Sequence, residues 1–259
     1  MDKKIILKKL LSFFVDEKDI PSDLENMRLL WDDTFNNIDV NKVSDEVLKL
    51  EDQYLRLDIL NRGLTNSEKL TTGSFSGNMS YHNSNRIYIW KGDITNIYAD
   101  IVVNSIEYDS FINKQFNNSV FHKSGLRLVK KVNSIVKDCE FEYSDVFITR
   151  GYNLPCDLII HVLLPKLENE LTDDDLVTLK MAYMNILECT NNNMMKIIVV
   201  PTLGINDRVK DIHKLAKLAI IAIDEYLDKQ STIEKVIISV TSEEEYEIYK
   251  ELLIGDNNA

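Results

Sequence analysis

The chain has 259 residues, of which 44% are hydrophobic and 28% charged, so it can bury a sizeable core and has an ordinary globular composition. Its net charge of −12 argues against electrostatic binding to nucleic acid or to anionic membranes, and we expect neither as a partner. Its three cysteines are widely spaced, which favours free thiols over a disulfide framework. No segment approaches the roughly 20 apolar residues that span a bilayer, so we predict a cytoplasmic location.

The N-terminal part is predicted to be helical. Ile6, Leu7, Leu10 and Leu11 fall on one face of a helix, which is typical of an amphipathic segment. Asp23 and Ser44 supply the helix-start chemistry for two further segments. The three helices are predicted near 3–16, 22–35 and 43–60.

Strands and helices alternate from Arg86 onward. Strands are predicted at 86–90, 99–104, 145–149, 157–164, 196–200 and 234–240. Helices are predicted at 119–137, 173–190, 208–228 and 243–254. Apolar strands separated by helices indicate a mostly parallel or mixed sheet that is covered on both faces, hence a three-layer α/β/α fold.

A polar stretch rich in Gly, Ser and Asn, residues 71–85, marks a boundary between these two parts. We therefore divide the chain into an N-terminal helical extension with a linker, 1–80, and an α/β domain, 81–255.

The stretch Arg86–Asn104 reads as strand, turn and strand, with the turn sequence Gly-Asp-Ile-Thr between them. Asp93 follows a strand end, where a carboxylate can accept hydrogen bonds from an exocyclic amine. Nucleotide sites commonly form at such loops in α/β folds. A plain turn or helix-capping role is the alternative for Asp93.

Four blocks of the sequence resemble the macrodomain family, whose fold recognises ADP-ribose. The region before them is similar to the helical extension of microbial zinc-dependent macrodomains, which are protein-ADP-ribose hydrolases. The resemblance implies a three-layer macrodomain with a mixed central sheet, preceded by N-terminal helices. The four blocks are residues 87–104, 149–165, 197–205 and 236–253.

The resemblance also implies the ligand contacts. Asp93 would bind the adenine amine beside the Ile94 backbone, and Asn104 would contact the distal ribose, although a backbone cap explains Asn104 equally well. The loop after the 196–200 strand would approach the pyrophosphate through its backbone. The predicted ligand-binding residues are Asp93, Ile94, Asn104, Thr202, Gly204, Ile205, Asn206 and Arg208.

The loop after the 196–200 strand departs from the family pattern. Gly204 is retained, but the following glycine and the aromatic-x-x-Pro ending are absent. Asn206 can adopt left-handed backbone geometry and so replace the lost glycine. Arg208 either pairs with a phosphate as a charged fork or is a solvated cation at the start of the 208–228 helix, and we favour the solvated cation.

The zinc-ligand cluster of the family is missing as well. No cysteine lies between Asn104 and Gly125, and zinc needs several thiolate, imidazole or carboxylate ligands that converge on one point. His122 matches a family histidine that packs rather than binds metal, and we interpret His161, within an apolar strand, as a structural histidine. We therefore predict no metal and no other cofactor.

Three functions remain open at this stage. The first is a protein that binds ADP-ribose, an ADP-ribosylated protein or a related nucleotide with degenerate catalysis, a pseudoenzyme. The second is an active ADP-ribosyl hydrolase in which Glu107 or Asp109 serves as a base without zinc. The third is a scaffold with a vestigial pocket, whose N-terminal helices bind a protein partner.

Overall fold

The computed structural model describes residues 2–70, 81–168, 170–206, 208–209, 211–229 and 231–254. Most of the predicted 71–85 linker lies outside the described residues, and the division at residue 80 stays a prediction. Within the described ranges, no helix combines the length and the apolar character needed to cross a bilayer.

Three helices precede the sheet, as the sequence predicts: α1 (Lys3–Leu11), α2 (Leu24–Asn36) and α3 (Asp45–Arg62). Asp23 and Ser44 cap α2 and α3 by accepting hydrogen bonds from backbone amides, because each supplies an oxygen to an N–H that has no partner within its helix.

Seven strands form one mixed sheet in the order β2-β7-β6-β3-β5-β4, with the short β1 paired to the start of β3. Only the pairing of β4 with β5 is antiparallel, so the carboxyl ends of β3, β5 and β6 lie at one edge. The strands are β1 (Thr65–Asn66), β2 (Ile87–Lys91), β3 (Ile97–Glu107), β4 (Val146–Arg150), β5 (Cys156–Leu164), β6 (Ile197–Pro201) and β7 (Lys235–Val240).

Six more helices follow in the described residues: α4 (Tyr108–Ile112), α5 (Ser119–Ser124), α6 (Leu126–Asp138), α7 (Asp173–Asn192), α8 (Ile212–Leu227) and α9 (Glu243–Ile254). One buried cluster joins the sheet to α7, α8 and α9. A second joins its other face to α5, α6 and the three N-terminal helices. The extension therefore shares a core with the sheet.

Three helix predictions are wrong in their bounds. The helix expected at 3–16 ends at Leu11, with Ser12 as its C-cap. The helix expected at 119–137 is broken at Gly125, whose φ is +93°, and a Cβ there would lie 3.0 Å from Glu51 Oε2 and 3.0 Å from Leu55 Cδ1. The helix expected at 208–228 begins at Ile212, because Asp211 caps it by accepting from the Lys214 amide.

Glu51 of α3 fills the break between α5 and α6. It is fully buried, and its Oε2 accepts a hydrogen bond of 2.8 Å from the Leu126 amide at the start of α6. Burial raises the pKa of Glu51 to about 8. The side chain is thus neutral at pH 7, and an internal carboxylic acid joins the extension to the rest of the fold.

This raised pKa predicts that the protein loses stability as the pH rises from 4.5, the ordinary pKa of the group, to about 8. Over that range the folded protein keeps a proton on Glu51 that the unfolded chain has released, so the free energy of unfolding falls by about 1.4 kcal/mol per pH unit. Glu51→Gln should flatten this dependence, measured by urea denaturation at several pH values. Glu25→Gln, which removes an exposed carboxylate of α2, should keep it, and an unchanged slope in Glu51→Gln would contradict the prediction.

Candidate functional site

A small cleft of about 120 Å³ opens at the carboxyl ends of β3, β5 and β6. Parallel strands end at the same edge of the sheet, so the loops that follow them meet there. Ligands of open α/β sheets bind at this edge. The cleft brings one predicted site residue of β3, Glu107, to the three consecutive ones in the loop after β6. Its lining is Ser105, Ile106, Glu107, Leu164, Pro165, Leu167, Gly204, Ile205 and Asn206.

The loop after β6 keeps a backbone shape that favours glycine. Gly204 has φ +88°, and a Cβ there would lie 2.8 Å from Leu167 Cδ1. The absence of a side chain leaves the backbone open to close approach, as in anion-binding loops. Thr202 enters the loop with its hydroxyl committed, because Oγ1 donates to Glu245 Oε1 at 2.7 Å and lies 2.7 Å from the Tyr249 hydroxyl. Contacts from Thr202 to a ligand are therefore left to its backbone.

Asn206 does not take the left-handed geometry that we expected, because its φ is not positive. Its side chain instead organises the turn by accepting from the Arg208 amide at 2.8 Å and from the Val209 amide at 3.0 Å. Gly204 alone supplies positive φ in the described part of this loop.

Arg208 is partly exposed but ion-paired, and it lies before the start of α8 at Ile212, so it is not the solvated helix-start cation that we favoured. Its Nη2 lies 2.8 Å from Glu107 Oε2, and its Nε donates to the Leu167 carbonyl at 3.1 Å. The guanidinium is drawn to the Glu107 carboxylate that lines the cleft, and the ion pair joins the end of β3 to the loop after β6. One candidate base and one candidate phosphate ligand are thus already in contact.

The Gly-Asp-Ile-Thr turn leaves one carboxylate oxygen of Asp93 available. Asp93 Oδ1 accepts from the Thr95 amide at 2.9 Å and from the Thr95 hydroxyl at 2.7 Å, while Oδ2 accepts no hydrogen bond from any described residue. Ile94 packs beneath the turn against the hydrophobic clusters on that face. Capping therefore occupies Oδ1 and leaves Oδ2 without a partner among the described residues.

Asn104 lies under the site in a chain of buried hydrogen bonds. Thr149 Oγ1 donates to the Arg150 carbonyl, so it accepts from His161 Nε2 at 2.9 Å. His161 Nδ1 then accepts from Asn104 Nδ2 at 3.1 Å, and burial lowers the pKa of His161 to about 3. His161 is thus a neutral structural residue, and Asn104, 2% exposed, is largely used internally.

The sequence reasoning missed Asn118, which donates to Asn104 Oδ1 at 2.8 Å and caps α5. It also missed Thr95, which holds Asp93. Thr95 could have been found, since a Thr two residues after an Asp is a recognised turn signal. Asn118, directly before the helix predicted at 119–137, carried a helix-cap signal, but nothing local indicated its contact with Asn104.

The side chains present do not fit the zinc ion that the family resemblance implies. Glu107 is paired with Arg208, and His122 is bonded to Asn36 Oδ1 at 2.8 Å. Cys156 pairs with the opposite end of β3, eight residues along the strand from Glu107, which is about 26 Å. Nowhere in the described chain do three His, Cys, Asp or Glu side chains gather as a metal site. Asp109 of α4 is exposed and belongs to no such cluster among the described residues.

A larger cavity of about 490 Å³ lies at the other edge of the sheet, at the amino ends of β3, β5 and β6. It contains none of the predicted site residues. Its Asp100 carboxylate is already bonded to the amides of Lys196 and Ile197, at 2.8 Å and 2.9 Å. Size alone therefore does not identify the functional site.

Comparisons with known proteins point to one family. The model of the Macro domain family matches residues 104–219. A protein-ADP-ribose hydrolase of Treponema medium is 24% identical over 241 residues, which cover 90% of this chain and 90% of the relative. A variant of the Oceanobacillus iheyensis macrodomain with ADPR superposes with a TM-score of 0.58 at 27% identity, over 67% of this chain and 95% of that one. The Trypanosoma brucei macrodomain in complex with ADP-ribose covers 97% of this chain and 96% of its own, with a TM-score of 0.59 at 13% identity, which speaks for the fold alone.

Proposed function

This chain contains a Macro domain, as the resemblance predicted, and we propose that it binds ADP-ribose, free or attached to a protein, with little or no hydrolysis. The family match and the O. iheyensis structure with ADPR support the ligand class. The T. medium relative, a protein-ADP-ribose hydrolase, supports a modified protein as the partner. A cytoplasmic location, supported by the three free cysteines, belongs to the same proposal.

The observation that carries the proposal is the Asp93 turn. Thr95 occupies Oδ1 and fixes the carboxylate, which leaves Oδ2 to accept a hydrogen bond from the exocyclic amine of adenine. A carboxylate held before the ligand arrives loses little conformational entropy on binding. The turn therefore supplies an adenine contact that depends on no other part of the pocket.

The loop after β6 would receive the pyrophosphate. Gly204 exposes its backbone there, and Arg208 stands at the cleft through its contact with Glu107. A guanidinium carries five N–H donors, so Arg208 can donate to the pyrophosphate while its Nη2 stays on Glu107. The present cleft is small for a nucleotide, so it would have to widen as the ligand enters.

The two carboxylates considered for catalysis support binding over turnover. A general base must reach a water or substrate proton with a suitably raised pKa. Glu107 is instead engaged by Arg208, whose Nη2 lies 2.8 Å from Oε2. Asp109 is exposed, and no described group replaces the metal cluster of the zinc-dependent relatives.

Isothermal titration calorimetry of the metal-analysed protein with ADP-ribose tests the proposal. We expect saturable 1:1 binding that weakens about 10- to 100-fold in Asp93→Ala, since a hydrogen bond to a charged group contributes about 1.5–3 kcal/mol. Asp157→Ala removes an exposed carboxylate at the opposite edge and should change the Kd less than about twofold.

A second assay follows the release of ADP-ribose from a mono-ADP-ribosylated protein. We expect no release above the rate without protein. Release that is lost in Glu107→Gln would replace the binding function with the carboxylate-based hydrolase. Absence of ADP-ribose binding by the unaltered protein would leave the scaffold as the remaining function.

A further inference from the structure

Asp58 of α3 stands at the centre of a cationic cluster. It is 1% exposed, and four cations contact its carboxylate: Lys3 of α1, Arg28 of α2, Arg62 of α3 and Lys123 of α5. Arg28 Nη2 lies 2.8 Å from Oδ1, and Arg62 Nε lies 2.9 Å from Oδ2. One buried anion thus fixes side chains from all three N-terminal helices.

Arg62 alone among these cations also reaches the Asp93 turn. Its Nη1 donates to Thr95 Oγ1 at 3.0 Å, and Thr95 Oγ1 donates its single proton to Asp93 Oδ1 at 2.7 Å. Asp58 therefore holds Arg62, Arg62 orients the Thr95 hydroxyl, and Thr95 holds the carboxylate. Thr95 is fully buried, so water does not compete for these contacts.

We propose that Arg62 is a positioning residue through which the N-terminal helices set the selectivity for adenine. The inference rests on the proposed function, since it concerns the ligand of the same Asp93 turn. A hydroxyl has one proton, and the donor at 3.0 Å occupies its oxygen, so Arg62 turns that proton toward Asp93.

Loss of Arg62 would remove this constraint. The Thr95 hydroxyl could then rotate and leave Asp93 Oδ1 with the backbone amide as its remaining donor. The carboxylate would lose its fixed direction, and Oδ2 would no longer meet an exocyclic amine at a defined point. The consequence is a loss of discrimination between bases rather than a general loss of affinity.

The test compares two ligands, ADP-ribose and its hypoxanthine analogue, inosine diphosphate ribose, in which a carbonyl replaces the exocyclic amine. We expect the unaltered protein to prefer ADP-ribose at least tenfold, because the carboxylate repels the carbonyl and is left unpaired. In Arg62→Met the ratio of the two Kd values should fall to about twofold, and Arg62→Lys should restore part of it.

Arg28→Met is the matched control, because Arg28 contacts Asp58 and has no contact with Thr95 in the described structure. It should keep the full ratio. Partial unfolding of a variant lowers the binding of both ligands alike, so the ratio reports only on selectivity.

The possible results separate the two proposals. Selectivity that persists in Arg62→Met overturns the inference and leaves the proposed function intact. Failure of the unaltered protein to bind either ligand overturns the proposed function and the inference together. Equal loss of the ratio in Arg28→Met and Arg62→Met overturns the specific role of Arg62, since both would then act through Asp58.

Discussion

Replacing Asp58 by alanine should lower the free energy of unfolding by about 3–5 kcal/mol, the usual cost of breaking a buried ion pair from one side. Four cations contact this carboxylate, and Lys3 among them is 7% exposed. Without Asp58 these charges repel one another at a site that water reaches poorly. The loss would separate the three N-terminal helices from α5 before the sheet unfolds.

The pKa of Asp58 depends on both its burial and the cations around it. Burial by itself would raise its pKa, but the hydrogen bond from Lys3 and the charges of Lys123 and Arg62 hold the pKa below the ordinary value of 3.8. The folded protein therefore releases this proton more readily than the unfolded chain does. The resulting stability is complete above the unfolded pKa and is lost as the pH falls through the folded pKa.

Urea denaturation at pH 7 measures the effect. Arg28→Met, which removes the most exposed of the four cations, should cost less than about 1 kcal/mol. The double variant Asp58→Asn, Lys3→Met should recover part of the loss, since it removes the buried cation together with its partner. A loss below 1 kcal/mol in Asp58→Ala would show that the cluster contributes little.

Gly151→Ala should destabilise the protein by about 3 kcal/mol, at the upper end of the overpacking range. Gly151 lies between β4 and β5, and a Cβ there would lie 2.1 Å from the Cys156 carbonyl oxygen. That oxygen belongs to the backbone, so the two antiparallel strands must separate to make room. Thermal unfolding followed by circular dichroism would detect the change.

A double variant tests which atom of Cys156 causes the clash. The same Cβ would also lie 2.9 Å from Cys156 Sγ, and Cys156→Ala removes that atom while the carbonyl stays. Gly151→Ala combined with Cys156→Ala should therefore remain as unstable as Gly151→Ala. Recovery in the double variant would place the clash at the thiol instead.

Local sequence patterns predicted much of the fold. Each predicted strand appears within two or three residues of its expected bounds, because β-branched, apolar runs between helices determine a buried parallel sheet. The Asp93 turn could also be predicted from the sequence, since Gly-Asp-Ile-Thr contains both the capping carboxylate and the Thr95 that binds it.

The contacts that give the site its character join residues far apart in the chain. Arg208 and Glu107 are 101 residues apart, and Arg62 and Thr95 are 33 apart. Each of these side chains has an ordinary local role. Arg62 is a helix-end cation, Glu107 a strand-end carboxylate, Arg208 a loop cation and Thr95 a buried turn hydroxyl, and none of these roles predicts the partner. The break at Gly125 has the same origin, because Glu51, which fills it, bonds across 75 residues.

The sequence by itself therefore determined the order of most strands and helices, the resemblance to the macrodomain family, and the position of the Asp93 turn, since these depend on residues that are close together in the chain. The tertiary structure decided that Glu107 neutralises Arg208, that Asn206 shapes a turn, and that the N-terminal helices reach Asp93 through Arg62. The physical reason is that packing brings charges and hydrogen-bonding groups together only after the sheet and its helices have assembled.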